Sequence, residues 1–166
     1  MTGITLAALA VALIVLWANL RPWWKGSREI KLLVPFGEGF TLGAMSTVCA
    51  GLLGWAAAGS VGIASTGGDK ITAGLTGASA AAPIQTGRMG TLTAEGAVMV
   101  VLLTFAVGFA WRAAAKQEKR RILGGVFVGA VFCATAGVAS ALDWLPGLFN
   151  GLGGYVRGAA AGAGIL

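Results

Sequence analysis

The side chains that ordinarily carry chemistry are scarce and scattered in this chain. There is no histidine, so the commonest general base and the commonest metal ligand are both missing. Cys49 and Cys133 lie far apart inside apolar runs, form neither a CxxC pair nor a zinc-ligand spacing, and read as small buried hydrophobes. The segment STGGDK, residues 65–70, carries two glycines and a lysine but lacks the GxxxxGK[ST] spacing with which a loop cradles phosphate. Ser27 beside Lys25 is the one remaining nucleophile–base pairing, and it falls in a short polar connector. Without a histidine, and without a carboxylate inside an apolar run, neither a triad nor a proton relay assembles. The chain therefore reads as non-enzymatic, with no catalytic residue, metal ligand or cofactor expected.

What the sequence does concentrate is positive charge. The run WRAAAKQEKRR, residues 111–121, sets Arg112, Lys116, Lys119, Arg120 and Arg121 around a single acid, Glu118. Arg21, Lys25, Arg28 and Lys31 form a second cluster. Such clusters meet nucleic-acid phosphates, attract anionic lipid, or mark the cytoplasmic side of a membrane protein. The setting decides between these. Hydrophobic residues make up 57% of the 166 and charged ones 11%, with a mean hydropathy of +0.83. A soluble domain of that length needs more charge to cover its surface, so the membrane class leads. The 111–121 run is also too short, and lacks a reading helix, for nucleic acid to be favoured as a partner.

Four apolar spans fit around the two clusters, at about 3–20, 40–63, 92–111 and 122–142. Basic residues follow the first span rather than precede it, the reverse of a secretory signal, so an uncleaved helix is expected. The third span opens at TLTAEG, where Thr91 or Thr93 can cap a helix and Glu95 sits in its first turn. That helix is expected to continue through RAAAKQEK, which contains only good helix formers. Residues 65–90, rich in Gly, Ser, Thr and Ala without periodicity, read as a mobile loop.

Nine of the twelve basic residues fall in the 21–31 and 112–121 connectors. The positive-inside rule then places both connectors in the cytoplasm and both termini outside, with these nine residues as a basic anchor toward lipid or a partner. At helical spacing Arg112, Lys116 and Lys119 or Arg120 share one face. Trp17, Trp23, Trp24, Trp111 and Trp144 lie near span ends, as indoles at the headgroup level do; Trp55 is the exception. The expected architecture is an all-α, four-helix integral membrane protein, N-out and C-out, multi-pass in the bacterial cytoplasmic membrane. Residues 1–146 form the transmembrane domain, and 147–166 a Gly/Ala-rich interfacial or flexible tail.

Small residues recur every four positions in two spans: Ala50, Gly54, Ala58 and Gly62 in the second, and Gly125, Gly129, Cys133, Gly137 and Ala141 in the fourth. Columns of this kind let helix backbones approach closely. They either pack on each other within one chain or make a self-association face, and a homo-oligomer is expected. Cys49 and Cys133 fall at similar depths, so an intramolecular pairing of the two spans would bring the thiols together. A pore, if there is one, would need Thr41, Ser46, Thr47, Ser60, Thr104 and Thr135 as its lining. In the tail, Leu148, Leu152, Tyr155 and Val156 share one face at helical spacing.

The layout resembles that of small membrane proteins carried by actinobacterial mobile elements, such as the spread proteins of conjugative plasmids. The shared features are Ala/Gly-rich spans, the basic connector WRAAAKQEKRRILGG and the exit ALDWLPGLFNGLG. The resemblance implies an accessory role in passing DNA between cells, with the lipid bilayer, further copies of the chain and a membrane partner such as a DNA translocase as its contacts. It carries over no site residue. Two other classes fit the same plan: a holin-like lysis protein, and a small subunit of a transporter or secretion complex.

Overall fold

A computed structural model describes residues 4–26, 28–79 and 82–163. Among them the chain is all-α: α1 (Leu6–Lys25), a 3-10 turn (Ile30–Leu32), α2 (Val34–Ser46), α3 (Leu52–Thr76), α4 (Ala94–Ala113), α5 (Lys116–Cys133), α6 (Ala136–Ala141) and α7 (Trp144–Gly162). Local chemistry sets several of the ends. Thr5 caps α1 by accepting the Ala8 N–H at 3.2 Å, and Thr93 caps α4 by accepting that of Gly96 at 3.1 Å. Gly77, at φ 71, takes the left-handed conformation that closes α3.

The centre of the molecule is the pair α2 and α5. A methyl group at Gly39 would land on the Ile122 carbonyl, and one at Gly43 on the Val126 carbonyl. Reciprocally, Gly125 lies against the backbone of Phe36 and Phe40, and Gly129 against that of Phe40 and Ala44. Both chains advance together along this contact, so the two helices are parallel. Their backbones touch with almost no side chain between them, which is what glycine at i and i+4 permits.

The other helices flank this pair in two groups. Ile4, Ala8 and Ala12 of the α1 segment meet Val61 and Ala64 of α3 and Val131 of α5 in one apolar cluster. Ala44, Met45 and Cys133 join Val100 of α4, Ala139 of α6, Leu145 and Phe149 of α7, and Met89 in the other. Asn19 of α1 lies over Gly124 of α5, while Ile4 meets Val131, so α1 runs antiparallel to α5. The end of α1, the starts of α2 and α5 and the end of α4 consequently gather at one end of the bundle.

Three expectations about the helices change. The second apolar run is not one span over 40–63. It breaks at residues 47–51 into α2 and α3, because hydroxyl and thiol groups there satisfy the backbone locally: Ser46 Oγ donates to Leu42 O (2.7 Å), Thr47 Oγ1 to Ala44 O (2.7 Å) and Cys49 Sγ to Met45 O (3.3 Å). The fourth run, 122–142, likewise breaks at 134–135, where Thr135 donates to the Phe132 carbonyl at 2.7 Å. Helix also does not continue from 112 through 119. It stops at Ala113 and restarts at Lys116, with Glu118 reaching back to the Ala115 N–H at 2.8 Å.

Within 65–90, read as a mobile loop, residues 65–76 are helix and 82–87 are hydrogen-bonded to other segments, while residues 80–81 lie outside the described residues. α3 continues to Thr76, since Ala57, Val61, Ala64, Ser65 and Gly68 form a buried stripe and Gly68 sits directly on Ala7. Residues 82–87 then run extended and stitch two elements together. Leu6 N–H donates to Ala82 O (3.3 Å) and Ile84 N–H to Ile4 O (2.9 Å); Gly87 N–H donates to Ala134 O and Ala136 N–H to Gln85 O (both 3.0 Å). The groups freed by the α5 break find their partners here, as buried backbone must.

α1 and α4 are each long and apolar enough to cross a membrane, and only 17% of either apolar window is buried within the chain.

The contact predicts opposite outcomes for two kinds of glycine. Gly39→Leu or Gly125→Leu forces the central backbones apart, and loss of the folded state on denaturant titration in micelles is expected. Gly137 and Gly151 face open space. Alanine at either is expected to be neutral or to add up to about 1 kcal/mol through helix propensity.

Candidate functional site

The basic residues are the chain's densest chemical feature, and the fold gathers them at one end. Arg21 and Lys25 close α1, Arg28 and Lys31 follow it, Arg112 ends α4, and Lys116, Lys119, Arg120 and Arg121 open α5. Because the helix breaks at 114–115, Arg112 belongs to a different helix from Lys116 and Arg120. The single cationic face expected along 112–120 is therefore a cluster assembled from four chain segments. Ser27 lies outside the described residues.

One of these cations is used internally. Arg121 is only 8% exposed, and its Nη1 donates to the Leu32 carbonyl at 3.0 Å. It ties the first turns of α5 to the 3-10 turn that leads into α2, and so sets where the central pair begins. The expectation that Arg121 serves lipid or a partner with its neighbours is corrected: burial removes it from that surface. Arg21, Lys25, Arg28, Lys31, Arg112, Lys116 and Arg120 are exposed and Lys119 is half-buried. Arg21 is further oriented, with its guanidinium carbon 5.2 Å from the centre of the Trp17 ring. Trp24 and Trp144 are exposed, while Trp23 and Trp111 are half-buried.

The packing column of the second span lies elsewhere than expected. Ala50 is exposed in the break, Ala58 is exposed on α3, and Gly62 is half-buried. Gly54 allows the turn into α3 to close over the Cys49 carbonyl, a local role. The residues that receive α5 are Gly39 and Gly43, earlier in the same apolar run. On α5, Gly125 and Gly129 make the contact and Cys133 is buried beside it. Gly137 and Ala141 fall after the break and are exposed. Gly39 and Gly43 have the same four-residue spacing that marked the other column, so the signal was present in the sequence.

At the opposite end, α7 is a formed and docked helix rather than a loose tail. Asn150 accepts the Thr93 N–H (2.9 Å) and donates to the Thr91 carbonyl (3.0 Å), and Gly153 lies under the Glu95 backbone. Arg157 pairs with Glu95 at 2.6 Å. Leu148, Leu152, Tyr155 and Val156 point away from the chain, exposed. Residues 164–166 lie outside the described residues.

The six hydroxyls weighed as a pore lining are all bonded to nearby backbone. Thr41, Ser46, Thr47, Ser60, Thr104 and Thr135 each donate to a carbonyl three or four residues back in their own chain segment. Such bonds satisfy the hydroxyl donor in apolar surroundings and leave its lone pairs as acceptors. Cys49 and Cys133 are free, and Cys49 packs against the cluster that buries Cys133.

No protein-family model, curated protein or solved structure matches the chain.

Two outcomes are expected. Arg121→Gln, which removes a buried charged donor from Leu32, lowers the unfolding free energy by about 1.5–3 kcal/mol, whereas Arg120→Gln changes it by no more than about 0.5 kcal/mol. Cys133 is fully buried, so a thiol reagent is expected to modify Cys49 first and Cys133 only on unfolding, read by mass spectrometry of the two peptides. Equal rates in the folded protein would place Cys133 outside the cluster.

Proposed function

We propose that the chain is a four-span protein of the bacterial cytoplasmic membrane, with both ends outside, acting without catalysis as a self-associating accessory component in the transfer of mobile-element DNA between cells. The observation that carries the membrane part is the exposure of α1 and α4. Two helices of spanning length leave most of their apolar surface uncovered. The exposed side chains include Leu13, Ile14 and Trp17 on α1, and Val101, Leu102, Phe105 and Phe109 on α4. In water this surface would be costly, since apolar area is worth about 25 cal/mol per Å². The accessible surface totals 9767 Å² for 16.6 kDa, against about 7,600 Å² for a soluble monomer of that mass.

In this reading α2 with α3 and α5 with α6 serve as interrupted spans. Their breaks are tolerated because residues 82–87 and local side chains satisfy the backbone. The basic end then faces the cytoplasm, and α7 lies at the outer interface with Leu148, Leu152 and Tyr155 toward lipid. Unused glycines on α7 and α6 leave faces on which further copies can pack. The transfer role rests on the resemblance in layout and on the cationic face, which suits a membrane-bound translocase working on the cytoplasmic side.

The test has two stages. The protein should stay in the membrane pellet after alkaline carbonate. An impermeant maleimide should label cysteines placed at Lys31 or Lys116 only in inverted vesicles, and release into the supernatant would end the membrane reading. Deleting the gene from a self-transmissible element should then reduce transfer frequency without affecting replication. An abrupt, timed collapse of membrane potential on expression alone would point to lysis instead.

A further inference from the structure

We infer that the outward face of α1 between Leu13 and Lys25 is a binding site for an anionic phospholipid of the cytoplasmic leaflet. Its acyl chain lies along Leu13, Leu16 and Leu20, and its phosphate sits between Arg21 and Lys25. This inference rests on the membrane reading above and deepens it by naming a ligand class.

Between the side chains of α1 alone runs an open groove of about 560 Å³, whose lining is apolar except for the two cations at one end. From Leu13 to Lys25 the helix advances about 18 Å, close to the half-thickness of a bilayer core, about 15 Å, plus part of a headgroup. An acyl chain that enters at the cations therefore ends near mid-membrane. Trp17 and Trp24 border the groove and are 62% and 68% exposed, so indoles flank the place where the headgroup would sit.

The charged end is oriented and unclaimed. Arg21 is stacked on Trp17. Among the described residues the ion pair is that of Arg157 with Glu95, so neither Arg21 nor Lys25 has a carboxylate of its own. Two adjacent unpaired cations at one end of an apolar groove complement an anion that carries a hydrocarbon chain. A second copy of the same face would bring Arg21 and Lys25 against their own counterparts, and like charges oppose that. A soluble anion would satisfy the cations and leave the groove empty.

The test uses the full chain in phosphatidylcholine bilayers containing trace spin-labelled phosphatidylglycerol or spin-labelled phosphatidylcholine. The motionally restricted fraction of each label gives the protein's relative preference. The wild type should favour phosphatidylglycerol by about ten- to thirtyfold, since each basic residue near the surface contributes about 1 kcal/mol. The double variant Arg21→Gln/Lys25→Gln should lose most of that preference, and Lys116→Gln/Lys119→Gln should keep it. Unchanged preference in the first variant, or equal loss in both, would overturn the site in favour of diffuse attraction. Full displacement of the labelled lipid by excess inorganic phosphate would also overturn it, because the acyl chain would then contribute nothing. Circular dichroism checks that each variant retains the helices. Failure of the wild type to enter the bilayers at all would instead remove the membrane reading on which the site depends.

Discussion

The structure depends on one close approach, the parallel contact of α2 with α5 through Gly39, Gly43, Gly125 and Gly129. Each of these glycines lies over a carbonyl or amide of the facing helix, so the contact is backbone on backbone. Its gain is dispersion and polar complementarity along two smooth surfaces, and it does not need water to drive it. Glycine weakens a helix, and four of them in one seam are tolerable only because the seam returns more than they cost. Arg121 fixes where the seam starts by holding the Leu32 carbonyl. The two apolar clusters then form on either side of it, one with α1 and α3 and the other with α4, α6 and α7.

The interruptions at 47–51 and 134–135 follow from the same arrangement. Both α2 and α5 end close to where the seam ends, beside Ala44 and Cys133. Past that point each chain must turn away to cover a different flank, and each turn leaves backbone groups to be paired. Ser46, Thr47 and Cys49 do this within their own turn. Ala134 and Ala136 instead use the extended segment 85–87, whose Gly87 can lie against Ala136 and Ala139 because it lacks a side chain. A segment that looked structureless by composition is thus what closes one end of the bundle.

What could be read from the sequence was local. The first and third spans needed only apolar length, and Thr93 was a cap candidate for α4, whereas the Thr5 cap of α1 was not singled out. The gathering of basic residues at one end likewise required only an alternation of helix direction. The breaks were hidden because continuous hydropathy carries no sign of a hydroxyl bonded to its own turn. The course of 65–76 and 82–87 was hidden because Gly68 and Gly87 matter through what approaches them, Ala7 and the start of α6. The packing column was displaced by one stretch for a related reason. Several columns of small residues existed, and periodicity alone does not say which one meets a partner. Arg121 looked like its neighbours in sequence and differs from them only by burial.

α2 and α5 lie parallel within one chain, with their first turns at the same end of the bundle. Pulsed electron resonance between nitroxides at Gly37 and Leu123, and between Gly37 and Gly137, tests it directly, because all three positions are exposed. Diluting labelled protein with unlabelled protein restricts the signal to single chains. A parallel arrangement makes the 37–123 distance the shorter by about 10 Å, because α5 advances about 15 Å from Leu123 to Cys133 before the break. Equal distances, or a shorter 37–137 distance, would contradict it.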